Sequence, residues 1–270
     1  MKAARTLPNL KTNIPVLPPV TSKYMSRLPF IFAAVGHTGS GKSHLCLGMI
    51  KLMLREGSLN KIYLISPTAS SNVVYKSVFD ETRDVLFEDL GIKVFEFLNW
   101  VQQDCINRAT AYAEALMYQV AYKRFTNGEV IDNKDEQLLE TYGYRNLVAV
   151  RPKSILLIDD ASHSQIFSTS QRNPFVNLVL RSRHVGDGCG LSIAMVAQSY
   201  RGGIPKVLRL NLTHLALFRT ESKAELAAVY EEVGGLVSRD RFQQLYSDFT
   251  LGKYSYCFVD FIEQSIRSSF

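Results

Sequence analysis

Residues 36–43 read Gly36-His37-Thr38-Gly39-Ser40-Gly41-Lys42-Ser43, a complete match to the pattern GxxxxGK[ST]. Glycines at these spacings let the backbone curl until successive N–H groups point inward, a geometry that cradles phosphate oxygens. In that frame Lys42 places its ammonium on the β- and γ-phosphates of a nucleotide, and the Ser43 hydroxyl ligates Mg2+. A helix starting near Lys42 adds the positive end of its dipole. The expected cofactors are therefore ATP and Mg2+.

A second group of residues fits the same chemistry. Ile155-Leu156-Leu157-Ile158 runs into Asp159-Asp160, four apolar residues ending in adjacent acids. A buried strand of this kind delivers its acids to the sheet edge where α/β proteins bind ligands. Asp159 is expected to hold Mg2+ through water, and Asp160 to orient or deprotonate the attacking water. Many ATPases have Glu at the second position, and Asp is shorter by one carbon–carbon bond, about 1.5 Å. Gln198 closes the apolar stretch Leu191–Ala197; it reads either as a sensor of the γ-phosphate or as a polar strand-end cap. Arg181, Arg183 and His184 follow the apolar helical positions Phe175, Leu178 and Val179 and precede Gly186-Asp187-Gly188. An arginine there can project into a neighbouring subunit's nucleotide, an arrangement worth ~10³–10⁵ in rate. It can equally do no more than complement the helix dipole.

The elements that must position these groups follow from hydrophobic pattern. Phe30–Val35, Ile62–Ile65, Ile155–Ile158 and Leu191–Ala197 are short continuous apolar runs, as expected of strands buried on both faces. Ile92–Phe97 and Thr213–Phe218 are further strand candidates, and Tyr254–Asp260 is a closing strand. Lys42–Arg55 is amphipathic. Trp100–Phe125 carries Val101, Cys105, Ala109, Tyr112, Leu116 and Val120 at helical spacing; Asn127-Gly128 ends it, and polar residues run to about Gly143. Helices are also expected over about 222–232 and 238–248. Strands separated by helices imply crossover connections and an α/β fold with a mainly parallel sheet.

The chain has 270 residues with 31 Lys and Arg against 25 Asp and Glu, a net charge of +6. That charge is local. Residues 1–29 hold five basic residues and no acid, and the remaining 241 carry 26 basic against 25 acidic residues. Residues 172–209 carry six basic side chains and one acid, Asp187. Residues 1–28, with Pro8, Pro15, Pro18 and Pro19, read as an extended basic arm preceding a single domain over 29–270. From composition alone such an arm is either solvated or partner-binding. The N-terminus lacks the apolar core of a secretory signal, and no apolar run is long enough to span a bilayer. Four cysteines without a CxxC pair or a His at ligand spacing point to a reduced setting and no structural zinc.

Taken together, Gly36–Ser43, the Asp159-Asp160 strand, Arg183-His184, and Ala197-Gln198-Ser199-Tyr200 leading to Ile204-Pro205 resemble a known group. Arg209, Asn211, Thr213 and His214 continue the pattern. The chain resembles the genome-packaging ATPases of poxviruses, other nucleocytoplasmic large DNA viruses and Polinton-type elements, within the FtsK–HerA superfamily. The likeness runs from about residue 28 to 220. It implies a RecA-like P-loop NTPase core in which an extra strand separates the phosphate-loop strand from the Asp159 strand. It also implies a homo-oligomeric ring, a pentamer or hexamer, that uses ATP to thread double-stranded DNA into a capsid. Capsid or vertex proteins are then partners, and the virion or the host-cell interior is the location. By position, Lys42 and Ser43 match the phosphate and Mg2+ ligands, Asp159-Asp160 the acidic pair, Gln198 the polar sensor, and Arg183 a trans-acting arginine. Ser182 stands where members often have glycine, so Arg181 is a rival to Arg183. The Arg201–Lys206 loop is a candidate DNA contact or a plain turn with its charges in solvent. A helicase or conjugation-type translocase of the same superfamily is the nearest competitor. A non-hydrolytic nucleotide switch and a small-molecule kinase are more distant ones.

Overall fold

The computed structural model describes residues 20–161, 164–168, 170 and 173–270. The strands expected from continuous apolar runs form the centre of one eight-stranded sheet. In chain order they are β1 (Ile31–Val35), β2 (Lys61–Ile65), β3 (Val85–Phe87), β4 (Ser154–Ile158), β5 (Leu191–Ala197), β6 (His214–Phe218), β7 (Tyr256–Asp260) and β8 (Ser265–Arg267). Their order across the sheet is β3-β2-β4-β5-β1-β6-β7-β8. The first six strands are parallel, and β7 and β8 add antiparallel pairs at one edge. β5 thus lies between the phosphate-loop strand β1 and the Asp159 strand β4, the inserted strand that the resemblance implies.

Both faces of the sheet are covered, which is why the central strands read as unbroken apolar runs. Alternate residues serve different cores. Ile31, Ala33 and Val35 face a cluster with Val94, Val101 and Phe175. Phe32 and Ala34 face a cluster with Cys46, Met49 and Tyr75. Helix α1 (Lys42–Glu56) covers the second face, beside the short α2 (Val73–Lys76). The first face takes α3 (Lys93–Thr126), α5 (Pro174–Arg181), α8 (Lys223–Val233) and α9 (Arg239–Phe249). Ser222 and Ser238 cap the last two by accepting from Glu225 N and Arg241 N.

Two expectations are corrected. Ile92–Phe97 is not a strand. The third strand is Val85–Phe87, and α3 begins at Lys93. Val94, Phe97, Leu98, Val101 and Cys105 are the buried positions, spaced by three and four, while Ile92 is exposed. The apolar run is a helix face continuous with the one downstream. The polar stretch before Gly143 holds a further helix, α4 (Asn133–Tyr142). Asp132 caps it by accepting from Lys134 N and Asp135 N, and Gly143 ends it in the left-handed region. Leu139 of α4 packs on Tyr118 and Ala121 of α3, a small core separate from the sheet.

Residues 1–19 of the basic stretch lie outside the described residues, as does Arg172. Residues 20–28 pack on the sheet's N-terminal edge. Met25 is buried, Ser22 Oγ donates to Glu56 Oε2 at 2.7 Å, and Ser26 Oγ bonds both His214 and Asp260 at 3.0 Å. Among the described residues, no helix is long and apolar enough to cross a membrane.

Candidate nucleotide site

Strand register brings the sequence-predicted residues to one edge. Val35 is level with Ala197 and Ile158 with Met195. The phosphate loop, Asp159-Asp160 and Gln198 therefore all emerge at the C-terminal ends of three neighbouring strands. Two strand spacings, about 10 Å, separate the phosphate-loop strand from the Asp159 strand, with Gln198 on the strand between. A cavity of about 190 Å³ occupies this gap. Thr38, Gly39, Lys42, Ser43, Asp159, Asp160 and Gln198 line it, joined by Thr68, Asn72 and Tyr75. Pockets for a whole drug-sized ligand run from about 300 Å³ upward. This volume suits a phosphate tail with the rest of a nucleotide at the rim.

The loop is shaped by its neighbours as much as by its own sequence. Gly36 N donates to Ala197 O at 3.2 Å, stitching the loop to β5. A Cβ on Gly36 would lie 2.6 Å from Phe218 Cβ and 2.9 Å from Ser40 Oγ, so β6 leaves no room for a side chain there. Gly39 and Gly41 have φ of 79° and 101°, a region that costs other residues roughly 1–2 kcal/mol. Gly41 is the N-cap of α1 and offers no side-chain cap, and the first turn holds no acid. The leading N–H groups of that helix are left for an anion. Ser40 Oγ is buried with no hydrogen-bond partner. An orphaned buried hydroxyl in a loop of inward-turning amides fits a bound phosphate.

Lys42 is 7% exposed and donates from Nζ to His37 O at 2.7 Å, with two carboxylates, Asp159 and Asp160, lining the same cavity. Burial pulls its pKa below the ordinary lysine value, opposed by Asp159, Cys46 and Asp160. Asp159 is 4% exposed, and its Oδ2 accepts from the Tyr75 hydroxyl at 2.5 Å. Asp160 is exposed and adopts φ 54°, a left-handed conformation that Asp tolerates better than most residues. A buried lysine, a buried carboxylate and a serine hydroxyl suit a triphosphate with Mg2+. That ion usually takes one or two carboxylates plus phosphate oxygens and keeps several waters.

Arg183 and Arg181 are not brought to this cavity. Arg183 is exposed in the turn 182–184 after α5, beside Pro29, Ile31 and Thr213 at the N-terminal edge of the sheet. The length of β1, five residues or about 17 Å, lies between that edge and the phosphate loop. Neither Arg201 nor Lys206 lines the cavity. Both are exposed on two single-turn helices, α6 (Tyr200–Gly203) and α7 (Lys206–Arg209), in place of the expected loop. Arg209 is committed elsewhere: it pairs with Glu232 at 2.9 Å, sits 5.0 Å over the Tyr200 ring and donates to Ile204 O at 3.0 Å.

Thr68, Asn72 and Tyr75 were not legible as site residues. They follow β2, which borders β4, so their place at the edge depends on strand order and not on any local motif. A larger cavity of about 590 Å³ lies between α8, α9 and residues 219–221. It holds neither the phosphate loop nor the acid pair.

No known family's sequence profile and no curated protein sequence matches the chain. Solved structures do. The genome packaging NTPase B204 from Sulfolobus turreted icosahedral virus 2, in complex with AMP, aligns over 89% of this chain and 96% of its own at 16% identity, with a TM-score of 0.52. Its sulfate complex aligns over 90% and 96% at 15% identity, with a TM-score of 0.53. Identity at this level speaks to fold. The chain shares the α/β fold of these two structures, a mainly parallel sheet with helices on both faces.

Proposed function

We propose that the chain is an ATP-hydrolysing motor that moves double-stranded DNA into a viral capsid, acting as a homo-oligomeric ring. One observation carries the reading. A complete phosphate loop, an acid pair and a strand-end glutamine converge on one phosphate-sized cavity, in the fold of a protein described as a genome packaging NTPase.

The amides of residues 36–43 bind the phosphate tail, and the Lys42 ammonium lies against its terminal oxygens. When bound, Mg2+ would neutralise charge on the phosphate tail; Ser43 and Asp159 are the residues that would hold it. Asp160, at the exposed lip, orients or deprotonates the attacking water. Gln198, between loop and acids, reads the presence of the γ-phosphate. Arg183 acts on the nucleotide of an adjacent subunit. A grip on duplex DNA needs basic groups, because the duplex carries one negative charge per ~1.7 Å of axis. Arg201 and Lys206 supply exposed cations for it. Capsid or vertex proteins are the remaining partners, and the virion or the infected cell is the site of action.

Steady-state ATPase assays with and without duplex DNA test the reading. Lys42→Ala is expected to abolish turnover, and retained turnover refutes the site. DNA-stimulated hydrolysis supports a motor; tight nucleotide binding with negligible turnover supports a nucleotide switch in its place.

A further inference from the structure

One buried polar group at the cavity is bonded to an acid of the site: the Tyr75 hydroxyl. Tyr75 lies on α2 and is 2% exposed. Its ring belongs to the apolar cluster under α1 and meets Phe79 edge-on, with centroids 6.3 Å apart. A phenylalanine would fill that space equally well. The hydroxyl is accounted for by its partner, Asp159 Oδ2, at 2.5 Å. Among the described residues, no other side chain hydrogen-bonds that carboxylate.

The consequence is orientational. The terminal torsion of an aspartate is broad and weakly two-fold, so a free carboxylate samples many settings. Fixing Oδ2 on a hydroxyl that is itself immobilised in a core selects one setting and leaves Oδ1 for the cavity. The hydroxyl is held in turn. Asn72 caps α2 by accepting from Val74 N at 3.0 Å, and Tyr75 N donates to Asn72 O at 3.2 Å. Asn72 and Thr68 line the same cavity, so the segment that carries Tyr75 also walls the site. Position 75 thus joins the loop after β2 to the acid after β4.

We propose that Tyr75 is a positioning residue for the metal site: it holds Asp159 in the orientation that receives Mg2+ together with nucleotide. This rests on the proposed role of Asp159. Partners that orient a ligating carboxylate commonly contribute about 10–100-fold in metal affinity.

The test is calorimetric titration of a slowly hydrolysed ATP analogue, with EDTA and then across a Mg2+ series, beside thermal unfolding of each variant. Tyr75→Phe is expected to raise the Mg2+ concentration for half-maximal enhancement of binding by about 10–100-fold. Affinity in EDTA should change by less than about twofold, because the phosphate loop is untouched. Tyr75→Met, a flexible apolar filler, should behave alike and serves if the phenylalanine variant does not fold. In an Asp159→Asn background Tyr75→Phe should add nothing further, since it acts through that carboxylate. An unchanged Mg2+ requirement in a folded variant, or additive effects in the double variant, overturns the proposal. If the unaltered chain binds the analogue equally with and without Mg2+, the assignment of Asp159 fails and this inference with it; if it binds none, the nucleotide site itself fails.

Discussion

Gly36→Ala isolates what β6 does for the phosphate loop. The added Cβ would lie 2.6 Å from Phe218 Cβ and 2.9 Å from Ser40 Oγ, well inside an optimal carbon–carbon contact of about 3.5 Å. Phe218 cannot yield cheaply. Its Cβ is set by the backbone of β6, which is paired with β1 on one side and β7 on the other, and its side chain is 1% exposed. The loop must give, stretching the Gly36 N to Ala197 O bond. Overpacking of this kind costs about 1–3 kcal/mol. That strain appears in one of two places. If the loop keeps its shape, stability falls, and the thermal midpoint drops by roughly 2–4 °C for each kcal/mol in a chain of about this size. If the loop relaxes, stability is spared and the strain is restored on binding, so nucleotide affinity falls tenfold for each ~1.4 kcal/mol. Denaturation and calorimetry on the same variant measure both, and the two losses should sum to about 1–3 kcal/mol. Gly48→Ala is the control: Gly48 lies in α1, exposed, with nothing within 4 Å of an added Cβ. That substitution should stabilise by up to about 1 kcal/mol and leave affinity alone. Unchanged stability together with unchanged affinity in Gly36→Ala would refute the close approach to β6.

Two further outcomes follow from the placement of basic residues. Equal mixtures of Arg183→Ala and Lys42→Ala subunits should recover about one quarter of wild-type ATPase activity if rings assemble at random, because one interface in four joins an intact loop to an intact arginine; no recovery in demonstrably mixed rings counts against Arg183. Replacing both Arg201 and Lys206 with Ala should lower the slope of log affinity for duplex DNA against log salt by about 2 per engaged subunit; an unchanged slope removes these residues from the DNA contact.

Central strands were the most legible part of the fold, and for a physical reason. A strand buried on both faces is apolar at nearly every position, so Leu191–Ala197, broken only by Ser192, is recognisable without knowing its neighbours, and it is observed with those limits. Residues 92–97 misled for the converse reason. Six residues with several large apolar side chains satisfy a strand or one side of a helix, and only the continuation to Val101 and Cys105 decides. Helix α4 carried readable signals in Asp132, the acids Asp135 and Glu136, and Gly143. Hydrophobic pattern does not mark it, because its buried face is a single residue, Leu139, against a core made by another helix. In the site, Lys42, Ser43 and Asp159 were legible because their backbone and chemical demands are local. Tyr75 was not, since its relevance comes from β2 lying beside β4, which sets it against Asp159, 84 residues away along the chain.

The two edges of the sheet divide the chemistry of the proposed motor. On the C-terminal edge, Lys42 is the one cation among the described residues lining the cavity, and it faces the carboxylates of Asp159 and Asp160. Such a set can hold a nucleotide, but it offers little further positive charge to the phosphoryl group as hydrolysis proceeds. Arg183 stands at the opposite edge, beyond the reach of its own cavity by the length of β1. A head-to-tail ring relieves this mismatch, because a heterologous interface sets unlike surfaces of neighbouring subunits against each other. Binding and hydrolysis would then have different requirements: the first met within one chain, the second only at an interface. On this reasoning dilution below the assembly concentration should abolish turnover while leaving nucleotide affinity nearly unchanged, and a monomer that hydrolyses at the full rate would place the missing charge within the chain itself.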